Sequence, residues 1–155
     1  MTRKETTKAL SLLTEKMIDP NNDQRIYWAK EVTFDYRTAN AVRVDYMMFQ
    51  PVNNTISGIE KGDFYCYEIK SSVEDFKSKH GHNFIGDYNY YVMPRKVFES
   101  VKDRLPHGVG VYVTDENCRL ALYSVKQARR KSRTRPVSEI LLMMFRSAAR
   151  ERGRK

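Results

Sequence analysis

A change of hydrophobic period in the middle of the chain does most to constrain its fold. Asp63 to Lys70 reads as a strand, Asp-Phe-Tyr-Cys-Tyr-Glu-Ile-Lys, with side chains alternating between two faces. Ser72 to Lys79 then takes helical spacing, and Ser71 with Glu74 has the spacing of a capping box at its start. Past Gly81 and Gly86 the period shortens again, and Tyr88 to Met93 is an apolar strand that Pro94 ends. A chain that alternates in this way must stack helices against a sheet.

The flanking segments extend the pattern. Thr2 to Ile18 is a predicted helix with Ala9, Leu10, Leu13, Met17 and Ile18 at helical spacing, stopped by Asp19-Pro-Asn-Asn-Asp23. Arg25 to Tyr36 and Val42 to Phe49 are strands joined by a turn at residues 37–40, and Gln50 to Gly62 is a longer loop. Arg95 to Val101 is a short helix, Val109 to Thr114 a strand, and Arg119 to Tyr123 its pairing partner. Pro136 opens a last helix whose Val137, Ile140, Leu141, Met144, Phe145 and Ala148 form one apolar stripe, which must dock on the body or on a second subunit. The expected fold class is α/β, a mixed central sheet flanked by helices plus a C-terminal amphipathic helix.

With 155 residues the chain suits one ordinary domain. No apolar run approaches the roughly 18 residues of a membrane span, and Met-Thr-Arg-Lys-Glu at the start lacks the pattern of a secretory signal. Cys66 and Cys118 are too few for a disulfide framework, so a reducing, cytoplasmic setting is expected.

Charge is unevenly placed. Residues 1–125 hold 17 Lys and Arg against 17 Asp and Glu, whereas residues 126–155 hold 11 against 2 and so carry the whole net charge of +9. This divides the chain into an expected domain over 1–125, a basic linker over 126–135 and a basic helix and tail over 136–155. In the linker, Arg129, Arg130, Lys131, Arg133 and Arg135 are candidates for contacts with nucleic-acid phosphates. The other reading is a solvated basic segment.

The candidate chemistry lies on two strands. Alternation puts Phe64, Cys66, Glu68 and Lys70 on one face, and Arg43, Asp45 and Met47 together on a face opposite Val44, Tyr46 and Met48. If the strands pair, Asp45 lies beside Glu68 and Lys70, with Glu31 able to join from the first strand. Two carboxylates so placed repel each other unless a cation stands between them, and a hard ion such as Mg2+ or Mn2+ suits them. Such an ion polarises a phosphodiester, and Lys70 can orient the attacking water or stabilise developing negative charge. The alternative is an exposed Glu68–Lys70 pair with Arg43 facing Asp45 across the strands.

Val44-Asp45, 22 intervening residues and Glu68-Ile-Lys70 resemble the PD-(D/E)XK nuclease superfamily. The following Ser-Ser-Val-Glu-Asp-Phe-Lys and Asp87-Tyr-Asn-Tyr-Tyr-Val-Met-Pro94 look like its MmcB-like DNA-repair branch and short prophage-type relatives. Val44 stands where that family has proline. The resemblance, from about Glu31 to Thr114, implies a restriction-endonuclease-like αβββαβ core and a metal-dependent deoxyribonuclease of repair, recombination or phage replication. It implies Asp45, Glu68 and the Ile69 carbonyl as metal ligands, Lys70 as catalytic lysine, and Glu31 as a further upstream carboxylate. A homodimer would suit duplex cleavage, which two sites achieve most easily. The competing reading is a catalytically silent nucleic-acid-binding or assembly protein on the same fold.

Neighbouring residues have two readings each. Ser71 and Ser72 cap the helix or help its first amides hold a phosphate. Lys77 and Lys79 contact a DNA backbone or form a solvated face. His80 and His82 read as loop residues rather than ligands, and Trp28, Tyr88, Tyr90 and Tyr91 as core.

Overall fold

The computed structural model describes residues 1–153; Arg154 and Lys155, the end of the expected helix and tail over 136–155, lie outside the described residues. The chain opens with α1 (Arg3–Ile18), which Thr2 and Glu5 close with a capping box. Then come β1 (Tyr27–Phe34), β2 (Val42–Gln50), the short α2 (Ile56–Glu60), β3 (Asp63–Ile69), α3 (Val73–Lys77) and β4 (Tyr88–Pro94). They are followed by α4 (Arg95–Val101), β5 (Gly110–Thr114), β6 (Tyr123–Lys126) and α5 (Val137–Gly153).

The six strands form one mixed sheet in sequence order. β1, β2 and β3 are antiparallel neighbours, β3, β4 and β5 are parallel, and β6 returns antiparallel to β5. The parallel steps require crossovers, which α3 and α4 supply. The class is therefore α/β, with helices on both faces of the sheet and a C-terminal helix.

Local chemistry moves several boundaries. The last strand is Tyr123–Lys126 rather than 119–123, because Asp115 holds the amides of Arg119 and Leu120 in a turn. The helix after β3 is one turn and a half, and its cap is Ser72 with Asp75 rather than Ser71 with Glu74. The loop before β3 contains α2, capped by Thr55.

On one face, α1 buries Leu10 and Ile18 against Tyr46, Tyr67, Ile69, Tyr90 and Val92. Its inner stripe also includes Thr6 and Thr14, whose hydroxyls donate to carbonyls one turn back, so they are buried without an unmet donor. Tyr65 stacks on Tyr88 and Tyr67 on Tyr90 across the parallel strands. On the opposite face, α5 packs Val137, Ile140 and Met144 against Ala29, Val32, Phe34, Val44, Met47, Phe49, Phe64 and Cys66. The last helix thus docks on its own body. Phe145, expected in its stripe, is instead 63% exposed, because the buried row follows 137, 140, 144 and 147. Farther along this face, Phe76, Val97 and Val101 cover Tyr91, Met93, Val111 and Val113. Glu68 sits in the seam between these two apolar clusters.

Candidate functional site: a buried carboxylate pair

Asp45 lies where the regular ladder fails on both sides of β2. Ala29 and Met47 share one cluster with Val32, Phe34 and Val44, so the side-chain phase flips in both β1 and β2. Strict alternation, which separates Val44 from Met47, does not hold there. The flip in β1 coincides with Glu31, a non-glycine residue at φ 53°, and pairing skips from Lys30–Tyr46 to Val32–Val44. On the other side, the β2–β3 ladder ends at Tyr46–Tyr67. Asp45 occupies the opening: its Oδ2 accepts the Ile69 N–H at 2.8 Å, taking the place of a strand carbonyl.

Glu68 follows from the alternation of β3 and is 1% exposed. Its Oε1 accepts from Asn83 Nδ2 at 3.3 Å, and the same amide donates to the Arg43 carbonyl at 2.8 Å. Its Oε2 is buried without a hydrogen-bond partner among the described residues. Asp45 and Glu68 are neighbours, so each charge disfavours the other. Burial, then the Asp45 charge, push the Glu68 carboxyl up to about 9, and burial also raises Asp45.

Lys70 is 3% exposed. Its Nζ donates to the His80 carbonyl at 2.6 Å. Burial lowers its pKa, against the pull of Asp75, Glu68 and Asp45. The segment from Ser78 to Gly86 covers the group. Gly81 has φ 72°, and a Cβ there would stand 2.7 Å from Lys70 Nζ and 3.4 Å from Glu68 Oε2. Only glycine allows this backbone to lie on both charged groups at once.

The structure therefore brings together Asp45, Glu68 and Lys70, with Ile69 held by Asp45. Glu31 lies across from Asp45 in the register, and its carbonyl accepts from Arg150 at 2.7 Å. Among the described residues no three His, Cys, Asp or Glu side chains gather as a metal-binding group, so Glu31 does not complete a triad. Ser71 N–H donates to Asp75 Oδ2 at 3.0 Å and Ser72 Oγ accepts the Asp75 N–H at 3.1 Å, so these serines are engaged in capping. Lys77 and Lys79 are exposed on the far end of that turn.

His82 is part of the cover. Its Nε2 lies 2.9 Å from the Ser78 carbonyl and its Nδ1 2.7 Å from the Tyr91 hydroxyl. A carbonyl accepts only, so the assigned tautomer is Nε2–H, with Nδ1 accepting from Tyr91. The ring packs edge-on against Phe76 and Tyr91.

The basic segment before α5 runs along the body. Arg133 donates to Asp87 Oδ2 and to the Gly62 carbonyl, both at 2.8 Å. Arg130 pairs with Asp63 at 2.8 Å, and Arg135 bridges Asp35 at 2.8 Å and Glu139 at 2.7 Å. Lys131 donates its N–H to the Asp87 carbonyl and its Nζ to the Phe84 carbonyl. Arg129 is exposed, with its N–H on the Gly108 carbonyl. Asp87 reads from the sequence as a residue that orients neighbours or braces a loop, and its partners lie 23 and 46 residues away, so no local pattern names them. Nothing in the sequence marks Asn83, an asparagine in a glycine-bounded loop.

No protein-family profile and no curated protein matches the chain. Among solved structures, a protein of unknown function from Silicibacter pomeroyi is similar, with a TM-score of 0.54 and 20% identity over 96% of this chain and 84% of that one. That likeness concerns the fold.

Proposed function

We propose that this chain is a divalent-metal-dependent deoxyribonuclease, acting through Asp45, Glu68 and Lys70. The observation that supports it most is the Asp45–Glu68 pair: a buried carboxylate beside a half-buried one, with one Glu68 oxygen lacking any donor among the described residues. Such a donor set fits Mg2+ or Mn2+, with Asp45, Glu68 and the Ile69 carbonyl as the residues that would hold it. When bound, such an ion supplies positive charge at a phosphoryl oxygen and a readily deprotonated water. Lys70, fixed by the His80 carbonyl, stabilises negative charge developing on phosphoryl oxygens as water oxygen adds to phosphorus and the ester P–O bond breaks. The departing alkoxide takes a proton from solvent or from Lys70. Substrate reaches these groups only when the 78–86 segment moves aside.

The same cover favours one second reading, a silent DNA-binding protein on this fold. Single-stranded, duplex and branched DNA incubated with Mg2+ or Mn2+ separates the two. The nuclease reading expects metal-dependent cleavage lost in both Lys70→Ala and Asp45→Asn, the latter keeping an acceptor for Ile69 N–H. Binding that survives in both variants, with no cleavage by any of the three proteins, removes the enzyme.

A further inference from the structure

Three of the four arginines in the basic strap before α5, Arg130, Arg133 and Arg135, are paired with acids of the body, which directs attention to cations elsewhere. Arg37, Arg146, Arg150 and Arg152 make no ion pair among the described residues. The nearby acids Asp35 and Glu139 are engaged by Arg135, and Glu151 lies 3.8 Å from Lys30. Positive charge is therefore in excess where the end of β1 meets α5.

Two exposed aromatic rings flank this helix, each with a guanidinium near it. Tyr36 is 57% exposed with the Arg37 guanidinium 5.4 Å from its ring centre, and Arg152 lies 6.0 Å from that of Phe145. Beside Tyr36 a cleft of about 70 Å³ is lined by Thr33, Tyr36, Met143, Arg146, Ser147 and Arg150, whereas helical spacing puts Phe145 and Arg152 on the other flank of α5. A guanidinium resting on a ring keeps its edge N–H donors free for phosphate oxygens, and an exposed ring offers its face to an unpaired base. Duplex DNA presents no such base faces. The patch also adjoins the carboxylate pair, since Arg150 donates to the carbonyl of Glu31, which lies across from Asp45.

We propose that Arg37, Arg146 and Arg150, with Tyr36, form a surface for single-stranded DNA that delivers the strand to Asp45 and Glu68. The inference rests on the DNA-acting reading above, and binding without divalent metal tests it apart from cleavage. Fluorescence anisotropy with a labelled single strand and its duplex, across a series of salt concentrations, is the measurement. Single-strand binding should be the tighter. The combined Arg37→Glu and Arg146→Glu variant should bind at least about fivefold more weakly, with a log Kd against log salt slope shallower by about one. Tyr36→Ala should weaken single-strand binding several-fold and leave the slope unchanged. Arg37, Arg146 and Tyr36 are surface groups, and thermal melts check that each variant is folded.

Wild-type affinity that is equal or greater for duplex overturns the proposal. So does a charge-reversed variant that binds as wild type while Arg129→Glu does not, and so does tighter binding to phosphatidylserine vesicles than to DNA. A wild-type protein that binds neither strand form overturns it too. Single-strand binding through this patch without cleavage in Mg2+ or Mn2+ retains the surface and removes the nuclease. Cleavage unaffected by the arginine reversals does the converse.

Discussion

Two groups of buried charge in this protein are built on opposite rules. At the strap, Asp87 is 1% exposed and surrounded by donors: Phe64 N–H at 2.8 Å, Arg133 at 2.8 Å and Arg130 at 3.7 Å. At the β2–β3 opening, Asp45 and Glu68 face each other, and the nearest fixed cation, Lys70, is turned to a backbone carbonyl. Opposite charges set against each other hold elements together. Like charges with an oxygen unmet carry a cost that packing alone gives no reason to keep, and such costs gather at functional sites.

The largest expected effect tests the structural side. Truncation after Val125 removes Val137, Ile140 and Met144 from the core that contains Val32, Phe34 and Phe64. The remainder should lose its cooperative thermal transition and near-UV dichroism. A truncated protein that still melts cooperatively would show that the first 125 residues are self-sufficient.

Asp87→Ala leaves Arg133 and the Phe64 amide without their acceptor and should cost about 3–5 kcal/mol in urea unfolding. A cost below about 1 kcal/mol would erase the contrast between the two charge groups. Gly81→Ala should cost about 1–2 kcal/mol, since φ is positive and the new methyl meets Lys70 Nζ. Hydrogen exchange should quicken in 78–86 more than in β3.

The smallest stability effect belongs to Glu68→Gln, and its sign is informative. The folded Glu68 pKa, about 9, lies above its ordinary 4.5, so the folded state holds an extra proton between those values. Stability present below pH 4.5 is thus lost as pH rises toward 9. Asp45 is raised too and adds to the same trend, whereas the lowered Lys70 opposes it only as pH nears the ordinary lysine value of 10.5. Melting temperature without divalent ions should fall from pH 5 to 9 in the wild type. Glu68→Gln or added Mg2+ should flatten that fall. A wild-type curve that is flat, or rises, removes the strained pair.

Much of the site was legible because β3 keeps strict alternation. Glu68 and Lys70 are read from it, and Asp45 follows if its strand is the neighbour. Faces in β2 were misread on one side of Asp45, since alternation assumes an unbroken pleat and the pleat breaks where Asp45 lies opposite Glu31 with its positive φ. Phe145 was misread for a related reason: a helix of apolar residues on more than one side does not say which side meets the sheet.

Local pattern determined the order of helices and strands, the α/β class, the shared face of Glu68 and Lys70 on β3 and the location of excess charge, because these depend on residues within a turn or two of one another. Only the tertiary structure decided where the charge is spent. Ion pairing depends on which elements lie side by side. The strap brings Arg130, Arg133 and Arg135 to acids 46 to 100 residues away, while Arg37, Arg146 and Arg150 face solvent.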